Sequence, residues 1–315
     1  MSFEVEEMAS PFREAMEEAE KLLVARSEAL RLLMAATLAG GHVLLEGYIG
    51  VAKTMTARVF AKIIGGKFSR VQCTPDLLPS DILGTYVFDR RSGEYVLRRG
   101  PIFANVVFMD EINRLNPRTQ SAFIEALQEG RVSIEGTTLP LPKPFLAIAT
   151  RVSIVEEEGV YPLSYVFIDR FMFSIEIPSA SPDEEVEVLS RIDALDRLYV
   201  RQVLRPEQVM RFREQVRRVV VAPEVEEYIV ELVGKLRESE DVKYPPSTRA
   251  CIALYKGARA LALMYGRDYV VPDDVKALAP YALRHRAVLK PEAALRGVTI
   301  ESLVKETLEA TPVPR

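Results

Sequence analysis

Apolar residues in the first 180 positions follow two alternating patterns, short continuous runs and runs with helical spacing. The short runs predict buried β-strands, and the helically spaced positions predict amphipathic helices. Strands that alternate with helices form a mainly parallel sheet covered on both faces, so the pattern predicts an α/β fold. The predicted strands are residues 42–46, 68–73, 106–109, 145–149 and 172–177, and the predicted helices are residues 9–38 (one or two helices), 53–64 and 120–128.

Two stretches within this region predict β-hairpins rather than strands of the main sheet. The first lies within residues 77–101, where two apolar runs flank a turn that contains Gly93, and the second covers residues 131–142 around Gly136. Turn residues between two such runs are typical of hairpins. Surface decoration is the plain interpretation of both, but loops that reach beyond a core often carry function.

The strand pattern ends at a helix-start signal near residue 180. Ser181 is a favourable N-cap, Pro182 suits the first helical position, and Glu184 completes a capping box. We therefore predict an α/β core at residues 1–180 and a smaller all-helical domain at residues 181–315. The helices of the second domain are predicted to begin near Pro182, Pro206, Pro223, Ser247, Pro272 and Ile300.

The composition narrows the class of protein. The 315 residues are 48% hydrophobic and 27% charged, with a formal net charge of -4. The weakly acidic charge argues against a protein that mainly binds nucleic-acid phosphates. No apolar stretch reaches the roughly 18–20 residues that span a bilayer, and the acidic start lacks the features of a signal peptide. We therefore expect a cytoplasmic protein.

Neither the cysteines nor the histidines form a pattern with chemical meaning. Cys73 and Cys251 have no cysteine or histidine at metal-ligand spacing, and two buried thiols are favoured over a disulfide. His42 and His285 have no neighbouring histidine or carboxylate that suggests a proton relay. Structural roles are therefore expected for both histidines.

A glycine-containing loop between a predicted strand and a predicted helix is the first candidate site. It follows the apolar run at residues 43–45 and opens a helix at residue 53, which is the setting of a phosphate-binding loop. Backbone N–H groups at such a helix start bind anions, although a chance glycine-rich turn would look the same. We predict that ATP or ADP contacts Gly47, Tyr48, Ile49, Gly50, Val51, Ala52, Lys53, Thr54 and Met55.

Individual loop residues have expected roles. Gly47 and Gly50 let the backbone approach the phosphates, Lys53 should reach the β- and γ-phosphates, and the Thr54 hydroxyl should bind Mg²⁺. Ala52 stands where the strict phosphate-loop pattern has glycine. Alanine is tolerated there if its φ is negative, and we expect a negative φ because the residue would lie in the first helical turn.

A second apolar strand, at residues 106–109, ends in the carboxylates Asp110 and Glu111. Ligands collect at the carboxyl ends of parallel strands, so both side chains should lie beside the phosphate loop. Asp110 is predicted to bind Mg²⁺, through water, and Glu111 to activate the attacking water. An acidic pair that caps a helix is the alternative. Together with the loop, the pair predicts Mg²⁺-dependent hydrolysis of a nucleoside triphosphate.

Longer stretches around these two sites resemble the MoxR family of AAA+ ATPases. The resemblance implies an AAA+ core with a parallel sheet, a helical lid, and a ring of identical subunits, usually a hexamer, with ATP between subunits. It covers about residues 10–290. The segments that carry it are residues 100–105, 110–129, 158–163, 169–171 and 266–275.

The resemblance also implies roles for two arginines and for the two hairpins. Arg170 matches the arginine finger that reaches into the neighbouring subunit's site, which can be worth about 10³–10⁵ in rate. Arg249 matches the sensor 2 arginine of the lid, and its action in cis or in trans stays open. The hairpins match the helix-2 insert and the hairpin before sensor 1, which move with the nucleotide and touch substrates in related rings.

The chain departs from the family at the sensor 1 position. The family has an asparagine where this chain has Val152, and valine cannot hydrogen-bond a phosphate or a water molecule. Thr150 or Ser153 could substitute, and Arg151 adds a charge nearby. By analogy with a lost oxyanion-hole donor, hydrolysis could be slower by about 10²–10³-fold.

Three functions fit these observations. The favoured one is an ATP-hydrolysing, chaperone-like remodeller of protein complexes, and the resemblance implies a von Willebrand factor A domain protein as its partner. The second is a nucleotide-gated assembly switch with slow hydrolysis, which Val152 favours. The third is a DNA-remodelling ring, which the net charge disfavours. The arginines that could form a DNA-binding face are better explained as solvated helix surfaces or subunit contacts; they are Arg217, Arg218, Arg284 and Arg286.

Overall fold

The computed structural model describes residues 2–23, 26–48, 50–151, 160–195 and 200–314. Helices and strands alternate in its first half, and helices dominate its second half. The helices are α1 (Ser2–Glu20), α2 (Ser27–Ala39), α3 (Lys53–Ile63), α4 (Pro79–Leu83), α5 (Pro117–Glu129), α6 (Tyr165–Ile168), α7 (Pro182–Leu195), α8 (Pro206–Val216), α9 (Pro223–Glu238), α10 (Thr248–Met264), α11 (Pro272–Leu283), α12 (Pro291–Leu295) and α13 (Ile300–Ala310), with a 3₁₀ turn at Ile112–Arg114. The strands are β1 (Val43–Glu46), β2 (Phe68–Gln72), β3 (Gly84–Asp89), β4 (Glu94–Arg99), β5 (Val106–Asp110), β6 (Arg131–Ile134), β7 (Thr137–Pro140), β8 (Leu146–Thr150), β9 (Phe173–Glu176), β10 (Val242–Tyr244) and β11 (Val288–Leu289).

Five of these strands form one parallel sheet in the order β2-β5-β8-β1-β9. All five had been predicted from their apolar runs, and the α/β fold is confirmed. Successive side chains point to opposite sides of the sheet. Strands β1, β5 and β8 are buried on both faces, whereas the edge strand β2 exposes Arg70 and Gln72. Val43 and Leu45 of β1 face a core that includes α2, α3 and helices of the second half, whereas Leu44 faces a second core that includes α5.

The parallel strands give the sheet two different edges. The strands end at the carboxyl edge, which carries the phosphate loop after β1 and Asp110 at the end of β5. The strands begin at the amino edge, where the Met172 N–H donates to the His42 carbonyl oxygen over 2.7 Å. Because β1 has four residues, the two edges are about 13 Å apart at roughly 3.3 Å per residue.

Both predicted hairpins are present. In the first, β3 and β4 are antiparallel, with Val87 opposite Val96 and Phe88 opposite Tyr95. The Phe88 and Tyr95 rings are in edge contact at a centroid distance of 5.5 Å, and all four side chains are exposed. In the second, β6 pairs with β7. The first hairpin therefore presents apolar side chains to solvent, unlike the main sheet.

The chain after β9 is helical, as predicted, and its helices pack on the face of the sheet that also carries α2 and α3. The sequence pattern did not indicate β10 and β11, which form a short antiparallel pair within this helical region. Within the ranges that the structure describes, no helix combines the length and the apolar character needed to cross a bilayer.

Candidate active site

The phosphate loop lies between the end of β1 and the start of α3. Gly47 and Gly50 have φ values of 136° and 88°, which L-residues with side chains rarely adopt. A Cβ at Gly47 would lie 2.4 Å from the Ile177 carbonyl oxygen, so this position requires glycine for packing as well. Around Gly50 the space is open on the side where a Cβ would stand. The predicted contact residue Ile49 lies outside the described residues.

The phosphate loop enters α3 through Ala52, and the negative φ expected for this residue was wrong.

 The φ of Ala52 is 64° and its ψ is 24°, which is the left-handed region, and the residue serves as the N-cap of α3. The helix begins at Lys53, as predicted, so Ala52 precedes the first turn instead of lying in it. A non-glycine residue in this conformation costs about 1–2 kcal/mol.

Lys53 opens α3, and its side chain reaches back into the loop. Its ammonium group donates to the carbonyl oxygens of Gly47 and Tyr48, over 2.7 Å in each case. Burial lowers the pKa of Lys53, while the charges of Asp110 and Glu111 oppose that shift. The lysine therefore lies within electrostatic reach of both predicted catalytic carboxylates.

The remaining loop residues lie around this lysine. Thr54 is half-buried in the first turn of α3, and Val51 is buried. Tyr48 and Met55 are exposed at 76% and 43%. The two exposed side chains therefore lie on the solvent side of the loop, where a bound nucleotide would have to enter.

The two carboxylates at the end of β5 are each held by an arginine. The Asp110 carboxylate accepts from the Arg70 guanidinium over 2.7 Å and from the Thr150 hydroxyl over 2.9 Å. The Glu111 carboxylate accepts from Arg114 Nε over 2.6 Å. Glu111 has a φ of 59°, and such backbone strain in a non-glycine residue is often found at functional sites.

The sensor 1 segment can be followed only in part, because Val152 and Ser153 lie outside the described residues. Thr150 lies at the end of β8, where its hydroxyl bonds to Asp110 and also accepts from the Glu111 N–H over 2.8 Å. Arg151 donates to the buried Glu46 carboxylate from two nitrogens, over 3.0 and 2.6 Å. Thr150 therefore contacts the Asp110 carboxylate and the Glu111 backbone, and Arg151 is bound to Glu46, the residue before the phosphate loop.

Arg170 and Arg249 lie together at the amino edge, away from the phosphate loop of the same chain. Arg170 precedes β9, and its guanidinium donates to the Gln128 side chain over 2.5 Å. Burial first, and then the charge of Arg249, lower the pKa of Arg170. Arg249 forms an ion pair of 3.2 Å with Asp169. Both arginines are thus directed away from the site that contains Lys53.

Asp169 connects this edge to the helical region. Besides Arg249, its carboxylate accepts from the Ser247 hydroxyl over 2.8 Å and from Arg286 Nε over 3.0 Å. The Arg286 side chain is 2% exposed, which corrects its interpretation as a solvated or subunit-contact residue. Burial lowers the pKa of Arg286 to about 10, and the Asp169 charge opposes that shift.

The two histidines are structural, as expected. His42 Nδ1 accepts from the Ala147 N–H over 3.1 Å, so its Nε2–H donates to the Leu127 carbonyl oxygen over 2.9 Å. Burial lowers the pKa of His42 to about 4 and lowers that of His285 as well. Both cysteines are free thiols, with Cys73 buried.

The residues at the carboxyl edge fit a magnesium–triphosphate group. The loop offers a helix start and an ammonium group for the phosphates. Thr54 and Asp110 offer a hydroxyl and a carboxylate, and Mg²⁺ prefers one or two such oxygen ligands together with phosphate oxygens and water. The open space beside Gly50 leaves room for a ligand against the backbone.

Four residues were not predicted from the sequence in the roles that the structure gives them. Arg70 and Arg114 are the partners of the two carboxylates, and Asp169 and Arg286 form the buried pair at the amino edge. Arg114 follows Glu111 by three residues, and this spacing was a usable signal. The partners of the other three lie far away in the sequence. A single sequence gives no indication of such pairs.

Comparisons with known proteins agree with the fold. Residues 42–173 match the family model described as ATPase family associated with various cellular activities (AAA), and residues 234–307 match that of the AAA lid domain. The chain is 43% identical over 301 residues to the uncharacterised protein YeaC of Bacillus subtilis, which covers 95% of this chain and 94% of YeaC. It is 38% identical to the chaperone MoxR1 of Mycobacterium tuberculosis, over 96% of this chain and 82% of MoxR1.

A solved structure supports the same fold and class of protein. The crystal structure of a candidate ATPase from Cytophaga hutchinsonii superimposes with a TM-score of 0.92 at 35% identity, over 99% of this chain and 97% of that one. With the phosphate loop, the carboxylate pair and the helical lid, these similarities define an AAA-type ATPase. The chain belongs to the MoxR family of AAA+ ATPases.

Proposed function

We propose that the chain hydrolyses Mg·ATP in a ring of six identical subunits and uses the free energy to remodel a protein complex.

 

The observation that carries this proposal is the grouping of Lys53, Asp110 and Glu111 at the carboxyl edge of the sheet. The phosphate loop after β1 binds the triphosphate, and β5, which is separated from β1 by β8, supplies the carboxylates that hydrolysis requires. Family membership supports ATP hydrolysis, and a relative named as a chaperone supports a protein client.

Each residue of this group has a defined task. Lys53 exchanges its bonds to the Gly47 and Tyr48 carbonyls for bonds to phosphate oxygens. Thr54 and Asp110 hold Mg²⁺, which neutralises charge on the phosphates when it is bound. Glu111 is released from Arg114 and accepts a proton from the attacking water, as a general base must lie within hydrogen-bond reach of that proton.

The position of the two arginines supports a site shared between subunits. Arg170 precedes β9, and β9 is parallel to β1, with Phe173 opposite Val43. The length of the sheet, about 13 Å, therefore separates Arg170 from the phosphate loop of its own chain. A neighbouring subunit that docks its carboxyl edge against this amino edge would receive Arg170, and it would receive Arg249 beside it. We therefore assign both arginines to action in trans.

The first hairpin is the proposed contact with the protein client. Its four exposed apolar side chains, Val87, Phe88, Tyr95 and Val96, lie next to each other across β3 and β4. Exposed apolar patches mark interaction sites more often than scattered apolar residues do. The client class is a protein with a von Willebrand factor A domain or a complex that contains one.

Steady-state ATP hydrolysis by the Glu111→Gln variant separates this proposal from the assembly switch with slow hydrolysis. The remodeller predicts measurable turnover in the unmodified chain and its near-complete loss in the variant. The matched control is Glu129→Gln, which removes a carboxylate from a surface ion pair with Arg131 and should leave turnover unchanged. Negligible turnover in the unmodified chain, with intact nucleotide binding, would favour the switch.

Nucleotide binding by Lys53→Ala tests the site itself. Removal of the ammonium group should abolish binding of ATP, which equilibrium titration with a fluorescent ATP analogue would measure. Unchanged affinity in this variant would contradict the assignment of the phosphate loop.

A further inference from the structure

Asp110, the proposed ligand of Mg²⁺, is already paired with a cation, the guanidinium of Arg70. Arg70 lies on β2, which pairs with β5 so that Gln72 is opposite Asp110. The Arg70 guanidinium donates to Asp110 Oδ2 over 2.7 Å and to Gln72 Oε1 over 2.6 Å. Because Arg70 and Gln72 are two residues apart in a strand, their side chains share a face of the sheet.

The other oxygen of Asp110 is also engaged. Thr150 donates its hydroxyl to Asp110 Oδ1 over 2.9 Å. Thr150 is buried and Arg70 is 47% exposed. Of the two partners of the carboxylate, Arg70 is therefore the one that can turn away into solvent without a change in the core.

We propose that Arg70 is a resident counter-cation, which neutralises Asp110 before Mg²⁺ binds and is displaced from it when Mg²⁺ arrives with the nucleotide. This inference rests on the proposed function of the carboxyl edge. A Mg²⁺ ion held by Asp110, directly or through water, would repel the Arg70 guanidinium that is bonded to the same carboxylate. Mg²⁺ and Arg70 therefore compete for Asp110.

The arrangement affects nucleotide binding in two opposite ways. Without Mg²⁺, an unpaired Asp110 would repel the triphosphate, and Arg70 removes that repulsion. With Mg²⁺, the bond between Arg70 and Asp110 has to be broken first, so Arg70 raises the Mg²⁺ concentration required. Ion pairs with an exposed partner are weak, which corresponds to an effect of about two- to fivefold in each direction.

The test is equilibrium binding of a fluorescent ATP analogue to the full chain and to Arg70→Gln. In EDTA, the variant should bind the analogue about two- to fivefold more weakly. In a Mg²⁺ titration at fixed analogue concentration, the variant should reach half-saturation at a Mg²⁺ concentration lower by about the same factor. General damage to the site would weaken binding under both conditions, so the opposite signs are specific to the proposal.

Two further variants complete the experiment. Arg58→Gln removes a cation from the adjacent helix α3, where it lies over the Phe68 ring rather than at Asp110, and should leave the Mg²⁺ midpoint unchanged. Arg70→Lys keeps the charge and should restore much of the wild-type behaviour. A midpoint that is unchanged or raised in Arg70→Gln would overturn the inference. Failure of the unmodified chain to bind the analogue would instead overturn the proposed function.

Discussion

Two aspartate–arginine pairs, one at each edge of the sheet, differ in how far the arginine side chain is exposed to solvent. Asp110 and Asp169 are about equally covered, with 15% and 16% of their side chains exposed. Their arginine partners are not alike, since Arg70 is 47% exposed and Arg286 is 2% exposed. The same chemistry therefore gives an exchangeable pair at the carboxyl edge and a fixed pair at the amino edge.

The difference corresponds to what each edge has to do. In the proposed function a ligand enters at the carboxyl edge, and Arg70 can leave Asp110 at low cost because ion pairs with an exposed partner are weak. At the amino edge, Arg170 and Arg249 would have to keep their positions relative to the neighbour in the proposed ring. A buried guanidinium that has lost its carboxylate is costly, so Asp169 holds the helical region firmly against the loop that carries Arg170.

The largest expected effect is on hydrolysis and concerns Arg170. Arg170→Ala should lower the rate of ATP hydrolysis by about 10³–10⁵-fold, because the stabilisation of transition-state charge is lost. Nucleotide affinity should be retained, because the phosphate loop lies at the other edge. Steady-state hydrolysis and analogue binding measure the two quantities, and full activity would remove Arg170 from its assigned role.

Asp169→Asn should have the next largest effect. The substitution leaves Arg286 buried without the Asp169 charge, which should lower the free energy of unfolding by about 3–5 kcal/mol. Urea denaturation measures this change. The matched control is Asp273→Asn, which breaks an exposed pair with Lys276 and should change stability by less than about 0.5 kcal/mol. Equal effects of the two variants would show that the pair at the amino edge is not fixed.

The pH dependence of stability tests the burial of the two histidines at the amino edge. Both are neutral when folded, and the pKa of His42 is lowered from 6.5 to about 4. Between these values the unfolded chain binds protons that the folded chain does not, so stability should fall with falling pH by about 1.4 kcal/mol per unit for each histidine. Urea denaturation between pH 7 and 5 measures the slope.

His42→Gln provides the matching control for this slope. The glutamine amide can donate to Leu127 and accept from Ala147, as the imidazole does, but it does not titrate. The variant should lose about one histidine's share of the slope. An unchanged slope would mean that His42 is not held neutral in the folded chain.

The smallest expected effect concerns the strained entry to α3. Ala52→Gly should raise the free energy of unfolding by about 1 kcal/mol, because glycine adopts a positive φ without strain. Ala57→Gly, inside the same helix, should lower it by about 1 kcal/mol or more. Opposite signs in urea denaturation would confirm the left-handed conformation at residue 52, and a loss of stability in both variants would contradict it.

The parts of the molecule that could be predicted from sequence are local. The phosphate loop, the strand that ends at Asp110, and the hairpins each show their pattern within a few residues. The pairs of Arg70 with Asp110 and of Arg286 with Asp169 join residues 40 and 117 positions apart, and nothing in either neighbourhood indicates the partner. The expected φ of Ala52 was wrong although the helix start at Lys53 was right, because the residue directly before a helix does not have to share the helical backbone conformation.

Strand β9 joins the two edges. Arg170 lies three residues before its first residue, and at its other end the Ile177 N–H donates to the Glu46 carbonyl oxygen over 2.8 Å, directly before the phosphate loop. The same Ile177 carbonyl leaves no room for a side chain at Gly47. In the proposed ring, β9 would therefore be the covalent path between a subunit's own phosphate loop and the arginine that it contributes to its neighbour. The occupancy of one site would then bear on the geometry of the next.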